Sequence, residues 1–241
     1  MPIRNGVIKP LPRSQVPSWF GRHCDAANMS SASVPILGRA YVHNRIAEAL
    51  RGVLAAVSDA GKANLIDRGD YGGTYNCRRV RGGSSYSPHA WAIAIDLNVH
   101  HFAGGHGGDE KRGRTNYRCA ANEIAPSLTT LAHYFNAWGF SWGGHWSSFK
   151  DPMHYEATEL TVRLMESGLS ADEEMALNNA RRPIGLPLVG STAGHAWSKP
   201  AREWAITQKL ITGYGGGNYG WQEPVTREEF AVILKRYNDL D

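Results

Sequence analysis

The chain has 241 residues, of which 42% are hydrophobic and 20% are charged, proportions that fit a globular protein and exclude a fibrous or disordered one. Its 26 basic and 22 acidic residues leave a net charge of +4, which favours anionic surfaces such as cell-wall polymers. No basic cluster interleaved with aromatic residues indicates nucleic-acid binding, and no apolar run is long enough to insert into a membrane.

The N-terminal stretch contains four prolines and lacks the apolar run of a secretion signal, so we expect synthesis in the cytoplasm without a signal peptide. The three cysteines, Cys24, Cys77 and Cys119, lie far apart and form no Cys-x-x-Cys pair. This spacing indicates neither a thiolate zinc site nor a disulfide framework, and a reducing compartment is the expectation.

The first predicted elements are a helix and a strand. Residues 36–60 carry apolar side chains at spacings of three and four, which predicts an amphipathic helix, and Gly61 is expected to end it. Residues 92–98 alternate strictly, as a half-buried strand does. In that strand Asp96 shares its face with small alanine side chains, which leaves room beside its carboxylate.

The next segments are a loop, a helix and an aromatic stretch. Residues 100–118 are rich in glycine and charge without periodicity, which predicts a surface loop. Residues 127–137 predict a helix, with Pro126 tolerated at its start. Residues 139–149 return to aromatic, strand-like sequence.

Beyond residue 165 the pattern changes, and we predict three units: a domain over residues 1–168, a linker over 169–195 and a small helical unit over 196–241. Fewer than about 50 residues rarely fold alone, so we expect the last unit to pack on the main domain or on a second copy. The predicted fold class is α+β, with a small antiparallel sheet flanked by helices.

A catalytic zinc ion takes three protein ligands, usually histidines with a carboxylate, and keeps a fourth position open for water. His89 before the predicted strand, Asp96 within it and His154 in a later turn supply such a set, because ligands converge in space rather than in sequence. Asp151, three residues before His154, is a candidate general base. On the residues alone, a structural His–Asp pair is the alternative interpretation.

The pattern around these residues resembles that of the LAS group of zinc peptidases, which includes lysostaphin, D-alanyl-D-alanine carboxypeptidases and the hedgehog signalling domain. The shared pattern, Ser-x-His-x-x-Gly-x-Ala-x-Asp followed by Asp/Glu-x-x-His, is met by Ser87, His89, Ala94, Asp96, Asp151 and His154. Ala92 stands where the group prefers glycine. Residues 74–98 and 139–156 are similar to the branch of D-alanyl-D-alanine carboxypeptidases and L-alanyl-D-glutamate endolysins.

The resemblance implies a Zn²⁺ cofactor on the three ligands, Asp151 as general base, and the peptide part of bacterial peptidoglycan as substrate. It also implies an arginine upstream of the first ligand that stabilises the oxyanion. Arg78 is the best match and Arg81 is the reserve candidate. For both arginines the alternative is a solvated surface charge.

Four further groups of residues are candidates around this site. Ser87 and Glu156 are predicted to orient the metal ligands, because a metal-bound imidazole usually needs a partner for its other nitrogen; otherwise they are ordinary loop hydrogen-bonding residues. The predicted substrate groove consists of Trp142, His145 and Trp146, although aromatic residues at this spacing also pack in cores. We interpret the cluster His100, His101 and His106 as solvated histidines rather than a second metal site, since no carboxylate follows at a regular spacing.

The last 45 or so residues resemble a single S-layer homology repeat, in which a Thr-Arg-Glu-Glu run stands at residues 226–229. In that family, repeats attach proteins to wall polysaccharides, which implies that Arg227 binds acidic sugar groups. Three repeats normally cooperate and one is present, so a helical pair that caps the fold or mediates dimerisation is the alternative.

Together these features predict a zinc-dependent peptidoglycan hydrolase, with a phage endolysin that cleaves L-alanyl-D-glutamate as the leading hypothesis. Such a protein is expected to reach the wall after release from the host cytoplasm. The alternatives are a D-alanyl-D-alanine carboxypeptidase, a zinc-stabilised wall-binding protein without turnover, a protein whose main function is wall attachment through its tail, and a bacterial enzyme exported by a non-standard route.

Overall fold

The computed structural model describes residues 3–4, 7–103, 105–106, 115–147, 149–186, 188–189, 204–211 and 227–238. The strands in these ranges are β1 (Ile3–Arg4), β2 (Val7–Ile8), β3 (Met29–Val34), β4 (Gly38–His43), β5 (Tyr71–Gly73), β6 (Ala94–Leu97), β7 (His101–Phe102), β8 (Gly105–His106), β9 (Ser141–Trp142) and β10 (His154–Glu156). The helices are α1 (Val16–Phe20), α2 (Ala47–Asp59), α3 (Pro126–Asn136), α4 (Glu159–Met165), α5 (Ala171–Arg181) and α6 (Arg227–Asn238). This mixture of a small antiparallel sheet and several helices confirms the predicted α+β class.

A four-stranded antiparallel sheet with the order β5-β6-β10-β9 lies at the centre of the fold. Within it, His154 of β10 lies directly opposite Asp96 of β6. Residues that face each other across an antiparallel pair have side chains within contact distance. The strand pairing therefore brings together two candidate ligands that are 58 positions apart in the sequence.

The predicted strand over residues 92–98 is confirmed at its centre, where β6 covers Ala94–Leu97. Its larger apolar side chains, Ile93, Ile95 and Leu97, are at most 1% exposed and pack in the core with helices α2 and α3. Ala92 closes the short 3-10 turn before the strand with a φ of 53°, in the left-handed region. Glycine adopts this conformation without strain, which explains why the LAS pattern prefers glycine at this position.

The predicted helix over residues 36–60 is wrong at its start. Residues Gly38–His43 form β4, which pairs with β3 as a hairpin, and the helix begins only at Ala47. In β4 the exposed Tyr41 separates the buried Ala40 and Val42, so the strand follows a period of two that the helical pattern further along obscured.

The loop predicted over residues 100–118 contains a short hairpin, in which His101 pairs with His106 and Phe102 with Gly105. The helix predicted over residues 127–137 is confirmed as α3, with Pro126 in its first turn. The strand-like stretch at 139–149 forms only the two-residue strand β9, followed by a 3-10 turn over Gly143–His145. Among the described residues of this stretch, the 3-10 turn stands where a wider strand was expected.

Cys24 and Cys77 form a disulfide, with Cα atoms 5.4 Å apart. This corrects the expectation from the cysteine spacing, because the two residues are 53 positions apart and only the tertiary fold brings them together. Cys119 is buried and lies outside the disulfide. A disulfide of this kind persists in an oxidising compartment and not in the reducing one that the cysteine pattern had indicated.

Helix α5 lies within the stretch assigned to a linker, yet it packs on the main domain. Leu177 is fully buried, and the buried Arg181 donates a hydrogen bond of 3.0 Å to the carbonyl oxygen of Ala137. Asn178 exchanges hydrogen bonds of 2.8 and 2.7 Å with the backbone of Val189. The division into three units stays a prediction.

Of the predicted C-terminal unit, the structure describes residues 204–211 and 227–238. Residues 204–207 form a helical turn, and α6 follows later in the chain. Arg236 of α6 donates a hydrogen bond of 3.0 Å to the carbonyl oxygen of Leu210, which joins the two segments. Among the helices in the described ranges, none combines the length and apolar character needed to cross a membrane.

Candidate metal centre

His89, Asp96 and His154 converge on one point beside β6 and β10, the two inner strands of the central sheet. Their ligand atoms all lie within 4.8 Å of one another. His89 Nε2 is 3.3 Å from His154 Nδ1 and 3.3 Å from an Asp96 oxygen, and His154 Nδ1 is 2.9 Å from the other Asp96 oxygen. The three residues predicted as metal ligands are therefore brought together by the fold.

The two imidazoles are oriented by hydrogen bonds from their other nitrogens. His89 Nδ1 donates to the carbonyl oxygen of Thr74 at 3.0 Å, which leaves Nε2 facing the cluster. His154 Nε2 donates to Glu156 at 3.0 Å, which leaves Nδ1 facing the cluster. A hydrogen bond of this kind fixes the tautomer of a ligating histidine and raises its basicity.

The charges of the cluster are held by buried partners. Burial opposes the charged form of Glu156, but Arg13 and His154 outweigh burial and lower the pKa of this carboxyl to about 2. Burial likewise opposes a charged His154, but its hydrogen bonds to Asp96 and Glu156 raise the pKa of the imidazole to about 10. Without a metal ion, the carboxylates of Asp96 and Glu156 thus stabilise the protonated imidazole of His154.

This donor set fits a zinc ion. Two imidazole nitrogens and one carboxylate oxygen, with both rings oriented from behind, are the ligands that catalytic zinc sites use alongside an open position. Burial disfavours a charged Asp96, yet the nearby His89 and His154 hold the pKa of its carboxyl well below the usual range, so the ligand is ionised. The fold therefore concentrates negative charge where a cation would bind.

Asp151 is a buried carboxylate beside this cluster, and one of its oxygens is available to accept a hydrogen bond. The residue is 6% exposed, and its Oδ1 has no hydrogen-bond partner in the described part of the chain. Burial raises the pKa of Asp151 to about 6, despite the opposing effect of His154. A carboxylate with this pKa and an unused acceptor is suited to take a proton near neutral pH.

Two glycines hold the backbone that carries Asp151. The backbone N–H of Asp151 donates to the carbonyl oxygen of Gly143 at 3.2 Å, and a Cβ at Gly143 would lie 2.3 Å from the Asp151 carbonyl oxygen. A Cβ at Gly144 would collide with the ring of Trp142 at 2.3 Å. The Trp-Gly-Gly run is therefore required by close packing behind the candidate base.

A cavity of about 890 Å³ opens onto the cluster. Its lining includes the three candidate ligands and Asp151, and five cationic side chains: Lys9, Arg13, Arg78, Arg79 and Arg81. Arg78 and Arg81, the two candidates for oxyanion stabilisation, both line this cavity. Arg79, which the sequence analysis did not select, lies with its guanidinium 5.0 Å over the ring of Tyr86.

The predicted groove residues divide between cavity and core. His145 and Trp146 line the cavity, and His145 Nδ1 and Trp146 Nε1 are buried without a hydrogen-bond partner in the described part of the chain. Trp142 does not line it: the side chain is 4% exposed, packs near Tyr155 and donates to the carbonyl oxygen of Pro152 at 2.7 Å. We therefore assign Trp142 to the core, since the two-residue strand β9 turns its ring inward.

The two predicted orienting residues also differ. Glu156 contacts His154 as described above, whereas Ser87 is buried at the start of the 3-10 turn that carries His89. Its backbone N–H donates to the carbonyl oxygen of Arg78 at 3.0 Å, and within the described residues its hydroxyl forms no hydrogen bond to either candidate histidine ligand. Ser87 thus positions the turn through its backbone rather than the imidazole through its side chain.

The remaining candidates lie away from the cluster. His100 is held by Asp70, with Nδ1 2.6 Å from the carboxylate, and His101 Nε2 is 3.7 Å from both Asp67 and Asp70. These two histidines therefore have carboxylate partners that the sequence spacing did not indicate. Among the described residues, the group with metal-binding geometry is that of His89, Asp96 and His154. The side chains of His106 and Arg227 lie outside the described residues.

Two supports of the site were not found from the sequence. Thr74 acts through its backbone carbonyl, which leaves no side-chain signal. Arg13 lies 143 positions before its partner Glu156, in a proline-rich stretch that showed no periodic pattern. A basic residue in this stretch could have suggested a partner for a buried carboxylate, but not which one.

The chain matches two known protein families. Residues 81–157 match the family model described as D-alanyl-D-alanine carboxypeptidase, and residues 192–231 match the model of the S-layer homology domain. No curated protein and no solved structure matches the chain. The first match supports a metallopeptidase that acts on peptidoglycan, and the second supports association with the cell wall or surface. The chain thus contains a region similar to the D-alanyl-D-alanine carboxypeptidase model, followed by a region similar to the S-layer homology domain.

Proposed function

We propose that this protein is a zinc-dependent endopeptidase that cleaves the L-alanyl-D-glutamate bond of the peptidoglycan stem peptide. The observation that carries the proposal is Asp151, whose buried and unpartnered Oδ1 lies beside the cluster of His89, Asp96 and His154. A purely structural metal site is closed and has no use for a base beside an open position. The arrangement therefore favours turnover over a zinc-stabilised binding protein.

Zinc held by His89, Asp96 and His154 would supply a Lewis acid for the peptide carbonyl and the attacking water. Asp151 accepts the proton of that water as its oxygen forms the new bond to the carbonyl carbon. Arg78 donates a hydrogen bond to the carbonyl oxygen as negative charge develops there, and Arg81 is the second candidate for this role. Asp151 then returns the proton to the leaving amine as the carbon–nitrogen bond breaks.

The cationic lining supports a substrate that carries a carboxylate near the scissile bond. In the described part of the chain, no acidic group lies within ion-pair distance of Arg78, Arg79 or Arg81. The ring of Tyr86 already positions Arg79, so its side chain loses less conformational entropy when it binds an anion. The α-carboxylate of D-glutamate, adjacent to the L-alanyl-D-glutamate bond, is an anion of this kind.

The second candidate is D-alanyl-D-alanine carboxypeptidase activity, which the description of the matched family favours. The same arginines would then bind the terminal carboxylate of the peptide. Digestion of purified peptidoglycan, followed by mass analysis, separates the two activities. New D-glutamate amino termini support the endopeptidase, release of free D-alanine supports the carboxypeptidase, and neither product in the presence of zinc contradicts both.

We further propose that the C-terminal unit binds an anionic wall polysaccharide, with Arg227 as one contact, and that the protein acts as a phage endolysin. The S-layer homology match supports the first statement. The Cys24–Cys77 disulfide fits action outside a reducing cytoplasm, which both an endolysin and an exported enzyme share. Deletion of residues 190–241 should weaken sedimentation with isolated walls, whereas undiminished binding would remove this role from the tail.

A further inference from the structure

The N-terminal segment, residues 7–13, lies before the region that matches the peptidase family, yet it forms part of the cavity. Val7, Ile8, Lys9 and Pro10 line the wall of the cavity. Ile8 is 4% exposed and packs against Leu160 and Leu177, which anchors the segment to α4 and α5. The segment is therefore held in a fixed position beside the candidate metal centre.

Arg13, at the end of this segment, forms a two-point contact with Glu156. Its Nη1 donates to Oε1 at 3.1 Å and its Nη2 donates to Oε2 at 3.0 Å. The side chain of Glu156 is only 2% exposed, and Oε2 also accepts the hydrogen bond from His154 Nε2. A planar guanidinium that binds both oxygens fixes the carboxylate in one orientation.

We propose that Arg13 is a positioning residue of the metal centre, which holds Glu156 so that His154 presents Nδ1 to the metal. The inference rests on the proposed zinc site and extends it to a residue outside the matched family region. Arg13 contacts no candidate ligand directly, so its effect on the metal passes through Glu156. Groups that orient ligating histidines typically change metal affinity by about 10–100-fold when they are removed.

A plain structural role for Arg13 predicts a different result. An Arg–Glu pair that only joins two segments affects the stability of the fold, but leaves zinc affinity unchanged. Arg163 and Glu173 provide the matched comparison, since Arg163 Nη1 donates to both oxygens at 2.9 and 3.2 Å in a partly buried pair away from the cluster.

The test is the zinc dissociation constant of the full chain, measured by competition with a chromogenic chelator. We expect Arg13→Gln to raise this constant by about 10–100-fold and Arg163→Gln to leave it unchanged. Arg13→Lys keeps the charge but loses the two-point contact, and we expect an intermediate increase. If Arg13→Gln fails to fold, as judged by thermal melting, the lysine variant carries the same comparison.

A double-mutant cycle with Glu156→Gln tests the route of the effect. Because Arg13 acts through Glu156, Arg13→Gln should change the dissociation constant by less than about threefold in the Glu156→Gln background. An unchanged zinc affinity in both Arg13 variants, or an equal effect with and without Glu156, would overturn the inference. Zinc binding needs no turnover, so an inactive wild-type protein that binds zinc contradicts the proposed function without deciding the role of Arg13.

Discussion

Strands β6 and β10 carry the candidate ligands Asp96 and His154, and other segments of the chain support them. The two regions differ in how the sequence encodes them. Asp96 and His154 lie opposite each other on adjacent strands, inside the region that matches the peptidase family. Arg13 and Thr74 lie before that region and reach the site through the tertiary fold, and the Cys24–Cys77 disulfide also lies before it. The comparison indicates that the matched region supplies the candidate ligands, whereas residues before that region help to position them.

The largest expected effect separates chemistry from metal binding at Asp151, in the turn that precedes β10. Asp151→Asn removes the proton acceptor and should lower the turnover number on purified peptidoglycan by about 10²–10⁴-fold, while zinc affinity stays close to wild type. Asp70→Asn, which alters a buried carboxylate bound to His100, is the matched control and should keep activity. Full lysis by the Asp151 variant would remove the residue from the mechanism.

The next effect tests the supporting segments. The Cys24–Cys77 disulfide closes a separation of 53 residues. Removing it by a double Cys24→Ser, Cys77→Ser substitution should lower the free energy of unfolding by about 2–4 kcal/mol, because the unfolded chain regains loop entropy. Thermal melting with and without a reductant measures this, since reductant should lower the melting temperature of the wild type and leave the variant unaffected. Equal melting of both proteins would show that the disulfide contributes nothing.

A smaller effect concerns the cationic wall of the cavity. Replacing both Arg79 and Arg81 by Gln should raise KM about 3–10-fold, because exposed charge pairs contribute at most about 1 kcal/mol each, and should leave kcat nearly unchanged. Wild type should likewise prefer stem peptides with a free D-glutamate α-carboxylate to amidated ones. The double variant should lose that preference, and a preference that persists would place carboxylate recognition elsewhere.

The smallest effect is at the turn between His89 and β6. Ala92→Gly should raise the free energy of unfolding by up to about 1 kcal/mol, because glycine adopts the left-handed conformation that strains alanine. Zinc affinity should not change, since the substitution keeps the backbone geometry. A lower melting temperature would mean that packing of the buried methyl group outweighs the strain.

The parts of the molecule that were predictable from the sequence are those with a local signal. Alternation over residues 92–98 predicted β6, and the helical pattern over residues 127–137 predicted α3. The predicted helix over residues 36–60 failed at its start because apolar residues in β4 also satisfy a helical spacing over a short window.

The candidate site was likewise predictable only where its residues carry a local sequence signal. The three candidate ligands lie together as expected, because Asp96 and His154 face each other on adjacent strands and His89 lies in the turn just before one of them. Trp142 was assigned to the groove and lies in the core, since sequence spacing does not determine which way a two-residue strand turns its side chains. Arg13 gave no signal, because an ion pair across 143 positions depends on the whole fold.

The most direct test of the central claim is the rate of peptide-bond hydrolysis in purified peptidoglycan as zinc is returned to the metal-stripped protein. The proposed mechanism predicts no hydrolysis without zinc and a rate that rises with occupancy until each chain holds one ion, with the Asp151→Asn variant binding the same zinc but remaining nearly inactive. Hydrolysis that persists at the wild-type rate after zinc is removed would contradict it.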